Sequence, residues 1–311
     1  MLAIDVSHVS KSFGRVHALR DVSLRVPQGS VFGFLGPNGS GKTTMLRGLM
    51  GLMRFDGGTA SLLGHEPWRD RVTLHAKVGY LPSGSGMYPQ MSGLEMLDYV
   101  ASLATGNGAT SPMRSDVLNA LQLSRHDLAR PVRDYSKGMR QKLAMVQALQ
   151  HDPELLLMDE PSEGLDPLVQ HAIYAYLTDR AAAGRTILFS SHTLSEVEAL
   201  CDRVAIIRDG TLVIEATLDE LRAARPRVIR IAIGRADDLQ HLPSTFVKRE
   251  EDHAGRTVYE AKLSPDEIVT ALAHVHLQDL IIEEPSLDQI FRSYYAMPDD
   301  STVDAARGAL R

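Results

Sequence analysis

The sequence is poor in several things at once. It holds one cysteine, Cys201, and one tryptophan, and its aromatic content is 5%. A single cysteine excludes an intrachain disulfide and suits a reducing compartment. Cys201 lies in an apolar-periodic segment and reads as a buried thiol. No run approaches the roughly 20 apolar residues that a membrane helix needs, so any membrane span must come from another chain. Positive charge is not in excess: 33 Lys and Arg face 39 Asp and Glu, for a net charge of −6. With no basic stripe interleaved with aromatics, no nucleic-acid partner is expected. Met1-Leu2-Ala3-Ile4-Asp5 has neither a charged region nor an apolar core, so no secretory leader is expected. What remains is an ordinary globular composition over 311 residues, enough for two domains with real cores.

The most informative stretch reads Gly36-Pro37-Asn38-Gly39-Ser40-Gly41-Lys42-Thr43-Thr44, directly after the apolar run Val31-Phe32-Gly33-Phe34-Leu35. It fits G-x-x-x-x-G-K-[ST] where a strand should end and a helix begin. The glycines let the backbone wrap an anion that a Cβ would obstruct. Backbone N–H groups of the loop and helix start then face phosphate oxygens. Lys42 is suited to the terminal phosphates and Thr43 to Mg²⁺. The bland alternative is a Gly-rich turn before an ordinary helix. Alone, the loop does not separate a kinase, a GTPase, a helicase or a transporter ATPase.

Elsewhere the chain alternates strand and helix signals. Residues 2–35 read as short strands, and a helix should run from the phosphate loop to about Met50. Residues 59–81 read as short strands broken by a polar connection. Ser92-Gly93-Leu94-Glu95 is a capping box opening a helix to about Ala104. Ser111-Pro112 starts another, and residues 136–150 carry a third, so residues 84–150 form a helical insert. Leu155-Leu156-Leu157-Met158 and Thr186-Ile187-Leu188-Phe189 suit buried parallel strands, with a helix opened by Pro167 and closed by Gly184 between them. Asp209-Gly210 marks a hairpin turn within residues 204–214, and Thr217-Leu218-Asp219-Glu220 caps a short helix.

Two further signals are chemical. Asp159-Glu160 ends an apolar strand downstream of a phosphate loop, where one carboxylate suits Mg²⁺ and its neighbour suits an attacking water. Ser136 sits at a helix N-cap, a place with free N–H groups and the positive dipole end. On physics alone, ordinary capping is the simpler account of Ser136.

The ordered set resembles the ATP-binding cassette (ABC) ATPases, the motors of ABC transporters. Residues 36–43 are similar to Walker A. Tyr135-Ser136-Lys137-Gly138-Met139 is similar to the Leu-Ser-Gly-Gly-Gln signature, with three variant positions. Asp159-Glu160 match the Walker B acid and catalytic glutamate, Gly164-Leu165-Asp166 the D-loop, and Ser190-Ser191-His192 the switch histidine. Phe13 falls where the family places an adenine-stacking aromatic. The likeness spans about residues 1–222. Tyr135-Ser136-Lys137-Gly138-Met139-Arg140-Gln141-Lys142 further resembles drug and natural-product exporters of the daunorubicin-resistance type, as does the C-terminal Glu284-Pro285-Ser286-Leu287-Asp288-Gln289-Ile290-Phe291.

The resemblance implies a P-loop α/β cassette with a mixed sheet over residues 1–224. It implies an Mg²⁺-dependent ATPase at the inner face of the cell membrane, cytoplasmic and held there by a separate permease. ATP and Mg²⁺ would sit on residues 36–44, with metal contacts from Thr43 and Asp159. Lys42, Glu160 and His192 would act in hydrolysis. Ser136 and Gly138 would close the site from a second cassette, so a homodimer or a paired cassette is implied, and Asp166 would be a further nucleotide-binding residue. The segment Met87-Tyr88-Pro89 and the insert would dock the permease. One departure is Ser83, where the family usually has Gln; water would complete the metal shell. The other readings are a soluble cassette outside transport and a catalytically weak regulatory cassette. Residues 227–297 carry strand and helix patterns in the order β-α-β-β-α-β plus a helix, which points to a ferredoxin-like accessory module. Residues 298–311 are expected to be a disordered tail.

Overall fold

The computed structural model describes residues 1–84, 86–105, 112–223, 226–233, 242–251 and 256–284. The helices expected at 236–241 and 286–295, the 298–311 tail, Ser111 and residues 285–291 lie outside these. The chain divides into two compact units, Met1–Ala216 and Thr217–Arg311.

In the first unit, β1 (Leu2–Phe13) runs antiparallel to β2 (Val16–Pro27), and the same sheet continues to β4 (Gly57–Leu62) in the order β2-β1-β4. Between them in sequence come β3 (Val31–Leu35) and α1 (Lys42–Leu49). The expectation of short strands over 2–35 is corrected by two strands of 12 residues each. Bulges explain the difference. His8 and Asp21 both take left-handed backbone (φ 55° and 53°), which shifts the register and breaks the period-2 pattern. Serines pick up the displaced donors: His8 N–H donates to Ser23 Oγ at 3.0 Å, and Asp21 N–H to Ser10 Oγ at 3.1 Å.

The polar stretch before β5 (Val78–Leu81) holds a short helix, α2 (Arg71–His75). The helical insert contains α3 (Gly93–Thr105), α4 (Arg114–Ala120), α5 (Arg125–Ala129), a 3-10 turn at Val132–Asp134 and α6 (Lys137–Leu149). Glu95 closes the expected capping box, accepting from Ser92 N–H at 2.7 Å while Ser92 Oγ accepts from Glu95 N–H at 3.2 Å. Gln150 fastens three helices. Its amide donates to Leu97 O at 3.2 Å and accepts from Arg114 Nε at 2.9 Å, so this buried polar group is satisfied.

Next come β6 (Leu155–Asp159), α7 (Pro167–Ala182), β7 (Thr186–Ser191), α8 (Leu194–Leu200), β8 (Arg203–Arg208) and β9 (Thr211–Thr217). They join β3 and β5 in a six-stranded sheet of order β5-β6-β7-β3-β8-β9. The pairs from β5 through β8 are parallel. Every residue of β3, β6 and β7 is buried, as parallel strands covered on both faces require. Asp209 (φ 49°) and Gly210 (φ 79°) are both left-handed, the pattern of a two-residue hairpin turn. One core joins the two sheets: Ile4, Val6 and Leu24 pack in one cluster with Phe32, Phe34 and Leu157, and Met45, Leu46 and Leu49 of α1 belong to it. Truncating Phe34 there would cost about 3–5 kcal/mol.

The second unit begins with α9 (Leu218–Ala223), so the compact division falls before this helix rather than after residue 224. It continues with β10 (Arg227–Ile233), β11 (Val247–Glu251), β12 (Thr257–Ala261), α10 (Pro265–Ala271) and β13 (Leu277–Glu283). The sheet order β11-β12-β10-β13, antiparallel throughout, is that of a split β-α-β module. Ile229, Ile231 and Tyr259 form its core with Ile268 and Leu272 from the α10 segment. Among the described residues, no helix is long and apolar enough to cross a membrane.

Candidate functional site: a phosphate cradle beside a carboxylate pair

The loop between β3 and α1 is built for close approach. A Cβ on Gly36 would come within 2.3 Å of Ile207 O, and one on Gly41 within 2.4 Å of Ala18 O. Gly41 also takes φ 109°, closed to side chains, and it precedes the first helical turn. Gly39 has open space around it and is set by its φ of 83° alone.

Lys42 is only 5% exposed. Its Nζ donates to Gly36 O at 2.7 Å and Pro37 O at 3.1 Å. Burial lowers the ammonium pKa below its ordinary value, and the carboxylates of Glu160 and Asp159 pull it part-way back. Ser40 Oγ is buried with no hydrogen-bond partner, close against Gly36.

Asp159 ends β6 and is 1% exposed. Thr43 Oγ1 donates to its Oδ2 at 2.7 Å, and Ser190 Oγ donates to its Oδ1 at 2.5 Å. The parallel register places Asp159 opposite Ser190, which is how strand pairing delivers that hydroxyl. A hydroxyl and a carboxylate touching under a phosphate cradle are a hard-oxygen set suited to Mg²⁺.

Glu160 follows in left-handed backbone, φ 52°. Its N–H donates to both Ser190 O (3.2 Å) and Ser190 Oγ (3.1 Å). The Gln141 amide donates to Glu160 O at 3.3 Å and Pro161 O at 3.0 Å. These contacts hold a conformation that a non-glycine residue disfavours by about 1–2 kcal/mol. The result aims Oε1 between two side chains: His192 Nδ1 lies 3.3 Å away and Lys42 Nζ 3.9 Å away. Backbone strain of this kind concentrates where side-chain direction matters.

A cavity of about 390 Å³ covers the loop, lined by Asn38, Gly39, Lys42, Thr43, Thr44 and Glu160, with Arg15 through Ala18 along one wall. A larger cavity, about 560 Å³, is lined by Phe55 and Trp68 with Arg54 and Arg69, away from the phosphate loop. The family profile described as ABC transporter matches residues 19–163. The daunorubicin resistance ATP-binding protein DrrA3 of Streptomyces coeruleorubidus is 32% identical, with 98% of each chain covered.

The chain belongs to the ABC transporter ATP-binding family.

An uncharacterized ABC transporter ATP-binding protein of Nostoc sp. is 44% identical over 67% of this chain, and the match spans 62% of that relative's length. A solved structure, an ATP-binding subunit of an ABC transporter, superposes with a TM-score of 0.64 at 30% identity, covering 71% of this chain and 92% of that one. The chain is thus an ATP-binding cassette of the ABC type on a P-loop α/β fold.

The structure brings Gly36, Lys42, Thr43, Asp159, Glu160 and His192 into one place. It does not bring Ser136, Gly138 or Asp166 there: none of them lines the cavity over the loop. Ser136 caps α6, accepting from Met139 N–H at 3.2 Å. A Cβ on Gly138 would meet Gly164 O at 2.6 Å, and Lys137 pairs with Glu163, so the signature and D-loop segments lie against each other. Asp166 caps α7, accepting from Val169 N–H at 3.0 Å. Phe13 is half-exposed at the end of β1, under Lys11 Nζ at 5.6 Å, and is not among the cavity's lining residues. Sequence reasoning missed the supporting shell: Ser190 and Gln141. Ser190 stood beside the switch histidine, but its role needs the register of β6 and β7. Gln141 gave no local signal. Cys201 is buried as expected, and burial raises its thiol pKa well above the ordinary value.

Proposed function

We propose that this cassette drives an exporter whose membrane spans belong to a separate permease. The observation that carries the reading is the convergence of Thr43 and Asp159 beneath the glycine cradle with Glu160, His192 and Lys42 beside it. ATP would lie along residues 36–44, with Lys42 exchanging the loop carbonyls for phosphate oxygens. Thr43 and Asp159 would hold Mg²⁺, which neutralises developing phosphate charge when bound. Glu160 would polarise the attacking water, and His192 would orient the terminal phosphate. Positioning and charge stabilisation carry most of such a reaction.

Ser136 and Gly138 lie apart from this cavity, so closure would need those residues from a second copy, with Asp166 at the seam. Members of this family pair with permeases and form cassette dimers. The permease surface would be the insert: Tyr88, Leu94, Tyr99 and Leu103 are exposed there, with Tyr88 and Tyr99 edge to face at 5.7 Å. A daunorubicin-resistance relative covered end to end favours a drug, natural product or lipid-like cargo at the cytoplasmic face. Ser83 is exposed, and water would complete the metal shell in place of the family's usual amide.

Two measurements test this. Specific ATPase activity should rise with protein concentration as the shared site assembles. A flat specific activity, unchanged on dilution, would overturn the two-copy site. A multi-span membrane protein should co-purify with the tagged cassette and support ATP-dependent cargo movement in vesicles. Recovery of the cassette from the soluble fraction alone, with no permease bound, would contradict the transport role.

A further inference from the structure

Glu160 and His192 line a second cavity, about 380 Å³, which none of residues 36–44 lines. A buried carboxylate, Glu196 of α8, stands in its wall with 8% exposure. No salt bridge to it occurs among the described residues. Instead two hydroxyls hold it. Ser191 Oγ donates to Oε2 at 2.6 Å, and Ser162 Oγ bonds Oε1. Ser191 in turn accepts from Thr193 N–H at 2.8 Å. Desolvating a carboxylate costs several kcal/mol unless hydrogen bonds compensate it. An apolar side chain would fill the position without that cost, but it would tie nothing together.

What Glu196 ties together is specific. Ser162 comes two residues after Glu160, and Ser191 immediately precedes His192. One carboxylate therefore bridges the two chain segments that carry the proposed water-polarising and phosphate-orienting groups. Gln170 reinforces the first segment, donating to Ser162 O and Leu165 O at 3.3 Å each. Tyr174 lines the same cavity; burial and then the charge of Glu196 raise its pKa well above the ordinary value, so it remains a neutral wall.

We propose that Glu196 is a positioning residue: its two hydrogen bonds lock the segment after Glu160 to the switch segment and so set the 3.3 Å spacing between Glu160 and His192. It acts on hydrolysis and not on nucleotide affinity, because it bonds to neither the phosphate loop nor Lys42. The proposal rests on the roles proposed for Glu160 and His192.

The test compares steady-state ATPase kinetics of the full-length chain and its variants. Glu196→Ala should lower kcat at least tenfold while KM for ATP stays within threefold. Glu196→Gln should recover most of that loss. Its amide can accept from one serine and donate to the other, since a hydroxyl turns to suit either role. Unchanged kcat in Glu196→Ala overturns the proposal, as does equal loss in the Gln and Ala variants, which would mean that charge and not tethering matters. A KM that rises as much as kcat falls overturns it too. If Glu196→Ala does not fold by circular dichroism, Ser162→Ala/Ser191→Ala cuts both tethers instead. It must lose kcat severalfold at unchanged KM, and wild-type turnover refutes the idea. Glu160→Gln in the same assay separates the two levels. If it is active, the base assignment and this proposal both fall. If it is inactive while Glu196→Ala turns over normally, only this proposal falls.

Discussion

Glu160 offers a test of whether backbone geometry is part of the site. Its φ of 52° is left-handed, and its peptide is held by Ser190 and Gln141. Glu160→Ala and Glu160→Gly both delete the carboxylate and its contacts with His192 and Lys42, so those losses cancel in the comparison. The two variants differ in backbone freedom. Glycine releases about 1–2 kcal/mol of left-handed strain. It gives back about 0.4–1 kcal/mol through the larger entropy of its unfolded chain. The balance favours Glu160→Gly by roughly 0.5–1 kcal/mol, reversing the usual ranking of Ala over Gly. For a unit of this size that is a melting-temperature gain of about 1–4 °C over Glu160→Ala. Both variants should lack turnover, so catalysis does not confuse the reading. Thermal and urea unfolding of the two, side by side without nucleotide, gives the answer. A Glu160→Gly variant no more stable than Glu160→Ala would refute the claim that this position is strained.

The phosphate loop separates two kinds of glycine. Gly36→Ala drives a Cβ against Ile207 O and should abolish nucleotide binding with a stability loss of about 1–3 kcal/mol, whereas Gly39→Ala, in open space, should lose only about 1 kcal/mol from its φ; calorimetry and unfolding check both. Acid should weaken both units through their capping boxes. Ser92 and Ser264 hold the carboxyls of Glu95 and Glu267 below the ordinary range, so the stabilisation is present above a pH of about 4.5 and is lost as pH falls through the lower folded values. Glu267→Gln should therefore flatten the acid limb of a melting-temperature profile for the C-terminal unit. Ser83→Gln should leave basal ATP hydrolysis within a few-fold; a large gain would show that the wild-type metal shell is incomplete.

Much of this molecule was readable where chemistry is local. The capping boxes at Ser92, Thr217 and Ser264 each made their reciprocal bonds, and Asp209-Gly210 turned the hairpin as its residue types demand. The four C-terminal strands fell close to their expected places. Reading failed where the pattern is interrupted or too short. The bulges at His8 and Asp21 made two long strands look like several. α2 and α5, five residues each, are shorter than two helical turns and leave no periodicity, although Ser124 and Asp127 form a capping box that marks α5. At the site, the phosphate loop and the Asp159-Glu160 pair were visible from residue type and spacing. Ser190, Gln141 and Glu196 were not, because their roles arise from strand register and helix packing across the chain.

The central claim is that Glu160 polarises the attacking water in a site closed by two cassettes. Glu160→Gln tests it most directly, since the side chain keeps its size and only the base is lost. The account predicts ATP affinity near wild type, ATP hydrolysis reduced about 10²–10⁴-fold, and an ATP-bound dimer in size-exclusion chromatography. Near wild-type turnover by Glu160→Gln would contradict the account.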